Sequence, residues 1–111
     1  MAAYVIIDID VKDPVVYEEY KKAGAPTILA YGGKPLVRGG ATQVMEGDWQ
    51  PKRMILLEFK DMQAAKRWWD SKEYSAAKKI RHQAANSNVV FLEGLYIRGQ
   101  KTLPFRARMK N

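Results

Sequence analysis

The strongest constraint on this chain is the order in which two-residue and helical periodicities follow one another. Residues 3–11, AYVIIDIDV, are rich in β-branched residues and alternate between an apolar and a mixed face. Ala3, Val5, Ile7, Ile9 and Val11 point one way, while Tyr4, Ile6, Asp8 and Asp10 point the other. That pattern predicts a strand with one wholly apolar face. Asp13-Pro14 then starts a helix, because an aspartate caps free N–H groups and proline suits the first helical position. The helix is expected to reach about Ala30, with a kink or break at Gly24-Ala25-Pro26, before Gly32-Gly33 stops it. Residues 35–46 read as a second strand, with a bulge expected at Gly39-Gly40. A turn at Gly47 to Pro51 leads into a third strand, Lys52 to Phe59, which makes the two an antiparallel hairpin. Asp61 starts a further helix and Ser71 caps another, running from about Glu73 to Ala85. A turn at Asn86, Ser87 and Asn88 precedes a last strand over 89–97.

The order β-α-β-β-α-β predicts an α+β domain of the ferredoxin-like plan, a four-stranded antiparallel sheet with its helices on one face. The 111 residues leave room for one core, placed at 1–97. Of the 19 basic residues, Arg98, Lys101, Arg106, Arg108 and Lys110 lie beyond Ile97 with no acid among them. Residues 1–97 are therefore nearly neutral, and 98–111 form a basic tail. That distribution argues against a nucleic-acid face, which needs basic residues interleaved with aromatic platforms. There are no cysteines and one histidine, His82, so thiolate chemistry and two-histidine metal sites are excluded. Apolar runs are far shorter than the roughly 20 residues that span a bilayer, and the N-terminus does not read as a signal peptide. The expected location is cytoplasmic.

One sheet face has no helical cover in this plan, yet its strands are apolar on both sides. Tyr4 and Ile6 lie on the uncovered face of the first strand, and Met54 and Leu56 on that of the third. An apolar face of several hundred Å² is rarely left bare in a monomer. A two-fold homodimer is therefore expected, with two sheets closing on one another as a barrel. Polar residues on that face, Asp8, Glu58 and Arg38, become candidates for ligand contact, with structural ion pairing as the alternative. An enclosed carboxylate must pair, hydrogen-bond or shift its pKa upward, and an arginine offers a forked donor to an anion. On the last helix Tyr74, Ala77, Arg81 and Ala84 share one stripe, so Arg81 faces inward, where it either makes a salt bridge to the sheet or recognises an anion. His82 is turned about 100° toward the flank. Trp68 and Trp69 cannot both sit centrally, so one is expected at a pocket rim or subunit contact. Trp49, in the hairpin loop, is suited to cover something. No P-loop, dinucleotide glycine motif, nucleophile elbow or metal-ligand cluster is present.

The segments YGGKPLVRGG, EGDWQPKRMILLEF, WWDSKEYSAAKKIR and FLEG resemble the bacterial domain-of-unknown-function family 1330, over about residues 3–95. The resemblance implies the dimeric α+β barrel superfamily. That superfamily includes cofactor-free monooxygenases, muconolactone isomerases, chlorite-dismutase-like haem proteins and stress-responsive barrels. It also implies a small organic ligand in the cleft between sheet and helices or in the barrel interior. Motif positions here include Tyr31, Arg38, Trp49, Glu58, Trp68, Tyr74 and Arg81. The pattern supplies no axial histidine for haem, and no cofactor is expected. The activity expected is that of a cofactor-independent isomerase, lyase or monooxygenase on a small aromatic or carboxylated metabolite. In it Arg38 and Arg81 hold an anionic group, Glu58 or Asp8 moves a proton and Tyr74 donates to an oxyanion. Trp49, Trp68 and Tyr31 contact substrate. A non-catalytic ligand-binding or structural dimer is the alternative.

Overall fold

The computed structural model describes residues 1–95. The end of the domain expected at 97 and the basic tail at 98–111 lie outside the described residues. Seven elements follow in chain order: β1 (Ala3–Val11), α1 (Pro14–Ala30), β2 (Lys34–Arg38), β3 (Met54–Phe59), α2 (Met62–Trp69), α3 (Lys72–Ala84) and β4 (Ala85–Glu93). The strands form one antiparallel sheet in the order β2-β3-β1-β4. This is the ferredoxin-like plan expected from the periodicities, with the second helical stretch divided in two.

Side-chain caps set the helix starts. Asp13 accepts from the backbone N–H groups of Val15 and Val16, and Asp61 from that of Ala64. Ser71 links the two short helices: its hydroxyl accepts from the Tyr74 N–H at 3.0 Å and donates to the Trp68 carbonyl at 2.7 Å. Such bonds satisfy N–H groups that a helix terminus otherwise leaves orphaned. The expected break in α1 does not occur, and the helix runs unbroken through Pro26. The Thr27 hydroxyl donates to the Gly24 carbonyl at 2.6 Å, and Gly24 faces Ala77 of α3. Packing against α3 thus offsets the hydrogen bond that proline removes.

Two strands differ from expectation. β2 ends at Arg38 rather than at residue 46, because Gly39 turns away at φ +66°. The bulge lies earlier than the glycine pair: Pro35 faces Leu57 and Val37 faces Leu56, so Leu36 is the extra residue. β4 begins at Ala85, directly from α3, and absorbs the turn expected at 86–88. Asn86 stands opposite Asp10 and Asn88 opposite Asp8.

Alternation sorts side chains between two environments. Ala3, Val5, Ile7 and Ile9 of β1, with Leu57 and Phe59 of β3, are buried under the helices. Trp68, Tyr74, Ala77 and Ala84 complete that core. The opposite face carries Tyr4, Ile6, Met54 and Leu56, all half-buried, while Val90 and Leu92 are 55% and 51% exposed. Among the described residues no helix is long and apolar enough to cross a membrane.

Candidate functional site

A cleft opens between α1 and the helix-covered side of β1, β2 and β3. Ile7, Ile9, Ile55 and Leu57 form its floor, Tyr17, Tyr20 and Ile28 descend from α1, and Trp68 is also part of the wall. The cavity measures about 110 Å³. Lys21, Arg38 and Arg53 add positive charge to this mainly apolar lining. An apolar cavity with a few convergent polar groups is the usual form of a small-molecule site.

Register explains how the two arginines arrive there. Arg53 lies opposite Ile9, whose N–H donates to the Arg53 carbonyl at 2.9 Å, so its side chain shares the parity of Ile55 and Leu57. Its Nε donates to the Tyr17 hydroxyl at 3.1 Å, and the guanidinium stands 5.8 Å from the Tyr17 ring. Gly39 makes room for this group, since a Cβ there would press on the guanidinium. Arg38 pairs with Ile55. Without the extra residue at Leu36 it would have faced the uncovered side, as the sequence suggested. The bulge turns it to the cleft instead. Neither arginine forms an ion pair among the described residues. Lys21 does, with Glu18 at 2.7 Å, and the Lys21 hydrogen bond holds the Glu18 carboxyl below its ordinary range.

Asp8 and Glu58 are on the other face of the sheet. Asp8 accepts from the Trp49 indole N–H and the Lys52 backbone N–H, both at 2.9 Å. An enclosed carboxylate has here found donors. Trp49 remains 60% exposed, and its loop folds back over the end of β1, where Asp8, Asp10, Lys52, Asn86 and Asn88 surround a polar hollow of about 310 Å³. Glu58 accepts from the Tyr4 hydroxyl at 3.2 Å. The two candidate proton carriers are thus separated from the arginine-lined cleft by the thickness of the sheet.

Tyr74 and Arg81 belong to the interior. The Tyr74 and Tyr20 hydroxyls lie 2.9 Å apart. Burial, reinforced by the neighbouring Tyr74, pushes the Tyr20 phenol well above its ordinary value. Arg81 is 2% exposed, as its stripe predicted, but the salt bridge to the sheet is not formed among the described residues. Its guanidinium lies 5.9 Å from the rings of Tyr20 and Trp69, and its Nε is buried with no acceptor among the described residues. Trp68 is fully buried, its indole N–H donating to the Thr27 hydroxyl at 3.0 Å. Trp69 takes the peripheral place, edge-on to Phe91 and 3.9 Å from the Lys78 ammonium. Partial burial there lowers the Lys78 pKa. Tyr31 closes α1 and donates to Glu73 at 2.9 Å, a bond that raises its phenol pKa. His82 is exposed. Among the described residues no three metal-ligating side chains come together.

The polar cleft-lining residues not named as candidates from sequence are Tyr17, Tyr20, Lys21 and Arg53. Arg53 was within reach, because 53, 55, 57 and 59 are one parity of one strand. The α1 residues were not, because their periodicity marks a buried flank without saying what lies beneath it.

No curated protein matches this chain. Its fold resembles that of a protein of unknown function from Rhodopseudomonas palustris, with 20% identity and a TM-score of 0.67 over 86% of this chain and 84% of that one. It also resembles SnoaB, a cofactor-independent oxygenase from Streptomyces nogalater, with 13% identity and a TM-score of 0.59 over 89% and 97% of the two chains. A dimeric ferredoxin-like protein of unknown function from Bacteroides fragilis is 18% identical, with a TM-score of 0.53 over 84% and 96%. At these identities the likeness is one of fold. The sequence motifs and this architecture agree with a match over residues 2–95, and the chain belongs to the family described as Domain of unknown function (DUF1330).

Proposed function

We propose that this protein is a cofactor-independent enzyme acting on a small, largely apolar carboxylate held in the cleft beneath α1. The observation that carries the reading is the pairing of an apolar cavity with two arginines that form no ion pair among the described residues. An arginine donates two parallel hydrogen bonds to a carboxylate, and the cleft walls strengthen them by excluding water. The floor of isoleucine and leucine, closed by Tyr17, Tyr20 and Trp68, suits a flat ring. SnoaB, a fold neighbour, is a cofactor-independent oxygenase, which supports chemistry without a resident cofactor on this scaffold. The active form we propose is a homodimer closed through the open sheet face. Its support is the exposure of Val90 and Leu92 beside Ile6 and Leu56, together with the dimeric state of the Bacteroides fragilis neighbour.

Calorimetry with benzoate and 4-hydroxybenzoate tests the site. Each is expected to bind, and Arg53→Gln and Arg38→Gln to weaken binding roughly 10- to 100-fold, as charged hydrogen bonds are lost. Binding that ignores both substitutions would remove the arginines from the site. A non-catalytic binding dimer is the second reading, and the makeup of the cleft favours it: no carboxylate or histidine stands among the lining residues. Proton NMR in D₂O separates the two. Conversion of a bound acid, or deuterium entering its carbon positions, supports the enzyme. Binding without either supports the module.

A further inference from the structure

We propose that Tyr20, backed by Tyr74 and Arg81, is an oxyanion donor at the inner wall of the cleft, selecting ligands with a phenolate- or enolate-type oxygen. The inference rests on reading the cleft as the ligand site, and it names the second polar group of the ligand.

Three observations meet at Tyr20. Tyr20 is part of the cleft lining, whereas Tyr74 is not. Its hydroxyl lies 2.9 Å from that of Tyr74. One hydrogen bond between two hydroxyls uses one of their two protons, and the second has no acceptor among the described residues. When Tyr74 donates to Tyr20, the remaining proton belongs to Tyr20, the member of the pair that lines the cleft. Finally, the Arg81 guanidinium stands 5.9 Å from the Tyr20 ring, 2% exposed and with Nε lacking an acceptor among the described residues.

A buried cation without an anion is costly. Stacking on Tyr20 and Trp69 recovers only part of that cost. The charged neighbour felt by Tyr20 is Arg81; the others are the phenols of Tyr17 and Tyr74. A ligand oxygen that carries negative charge therefore supplies what this corner lacks. It accepts the free proton of Tyr20 as a hydrogen bond, Tyr74 polarises that donor, and Arg81 compensates the charge through a medium of low dielectric. The donor stays protonated because burial holds the Tyr20 phenol far above its usual range. With Arg38 and Arg53 engaging a carboxylate, the favoured ligand class is a hydroxyaryl or enolisable keto acid. Tyr20 touches the ligand, and Tyr74 and Arg81 are positioning residues.

The probe is 4-nitrophenol, whose absorbance separates phenol from phenolate. Titrated across neutral pH with the full chain, the bound probe is expected to ionise more readily than the free one. Tyr20→Phe should weaken phenolate binding roughly 10- to 100-fold. Arg81→Met should abolish the preference for the ionised form while leaving folding stability equal or higher, since it removes a buried charge. Benzoate binding should survive Arg81→Met, whose site lies outside the cleft lining. If nitrophenol binds with no preference for phenolate, or the preference survives both variants, while benzoate still binds, the oxyanion role is overturned and the cleft reading stands. If neither probe binds, the cleft reading fails with it. Loss of stability in Arg81→Met, with the bound spectrum unchanged, would mark Arg81 as packing and overturn its part.

Discussion

The two faces of the sheet are built from the same strands and serve opposite ends. Under the helices, Ile7, Ile9, Ile55 and Leu57 floor a cavity whose charged lining is cationic, from Lys21, Arg38 and Arg53. On the open face Asp8, Asp10 and Glu58 accompany Tyr4, Ile6, Met54 and Leu56. Trp49 and Lys52 engage Asp8, Tyr4 engages Glu58 and Lys12 pairs with Asp10, whereas the arginines of the cleft form no ion pairs among the described residues. An open face with its acids engaged and its aliphatics half-buried or, at Val90 and Leu92, exposed is suited to a second protein surface. A cleft with two arginines that lack ion pairs among the described residues is suited to an anion. The difference teaches that apolar character on both sides of a strand does not distinguish its two faces; the state of the charged groups does.

The largest expected effect comes from collapsing the covered side. Trp68→Ala removes a fully buried indole and its bond to Thr27, and should cost about 4 kcal/mol in denaturant unfolding. It should also abolish benzoate binding. A loss under 1.5 kcal/mol would mean that the cleft wall repacks freely. On the open side, the pair Val90→Lys and Leu92→Lys should weaken self-association by about 3 kcal/mol, read by sedimentation. Stability of the separated subunit should change by less than about 0.5 kcal/mol, because both side chains are exposed there. An unchanged dimer would locate the interface elsewhere.

Gly39→Ala tests the turn that positions Arg53. A side chain at φ +66° is strained and would meet the guanidinium, so a loss of about 1–2 kcal/mol is expected, with weaker benzoate binding. The smallest effect is alkaline. The folded Tyr20 pKa lies above the ordinary value of 10.0, so the native state holds this proton more tightly than the unfolded chain. Its contribution to stability is complete below pH 10 and is lost as pH rises toward the folded value. Above pH 10 the native protein should therefore lose about 1.4 kcal/mol per pH unit from this group. Tyr20→Phe should be less steep by that amount in denaturant titrations. Equal slopes would mean that Tyr20 ionises as freely in the folded protein as in the unfolded one.

Much of the frame is legible in local chemistry. Alternation along β1 assigns its faces, Asp13, Asp61 and Ser71 mark their helices, and the Tyr74-Ala77-Arg81-Ala84 stripe places Arg81 inside. These are short-range patterns, decided by neighbours two to four positions away. The site is less legible. Arg38 needed the extra residue at Leu36, visible only once β2 is laid against β3. The start of β4 at Ala85 depends on pairing with Val11, which the polar run Asn86-Ser87-Asn88 conceals. Proline in α1 is tolerated because α3 packs on that helix.

From its residues alone this chain was committed to four strands, helices on one side and a greasy second face, since side-chain periodicity and caps act locally and add up along the backbone. Which polar groups meet had to wait for the folded chain. One inserted residue reverses every side chain beyond it, and whether a buried charge finds a partner depends on elements tens of residues away. Arg38 turning to the cleft and Arg81 lying unpaired beside Tyr20 are both consequences of register and packing, quantities that exist only between segments.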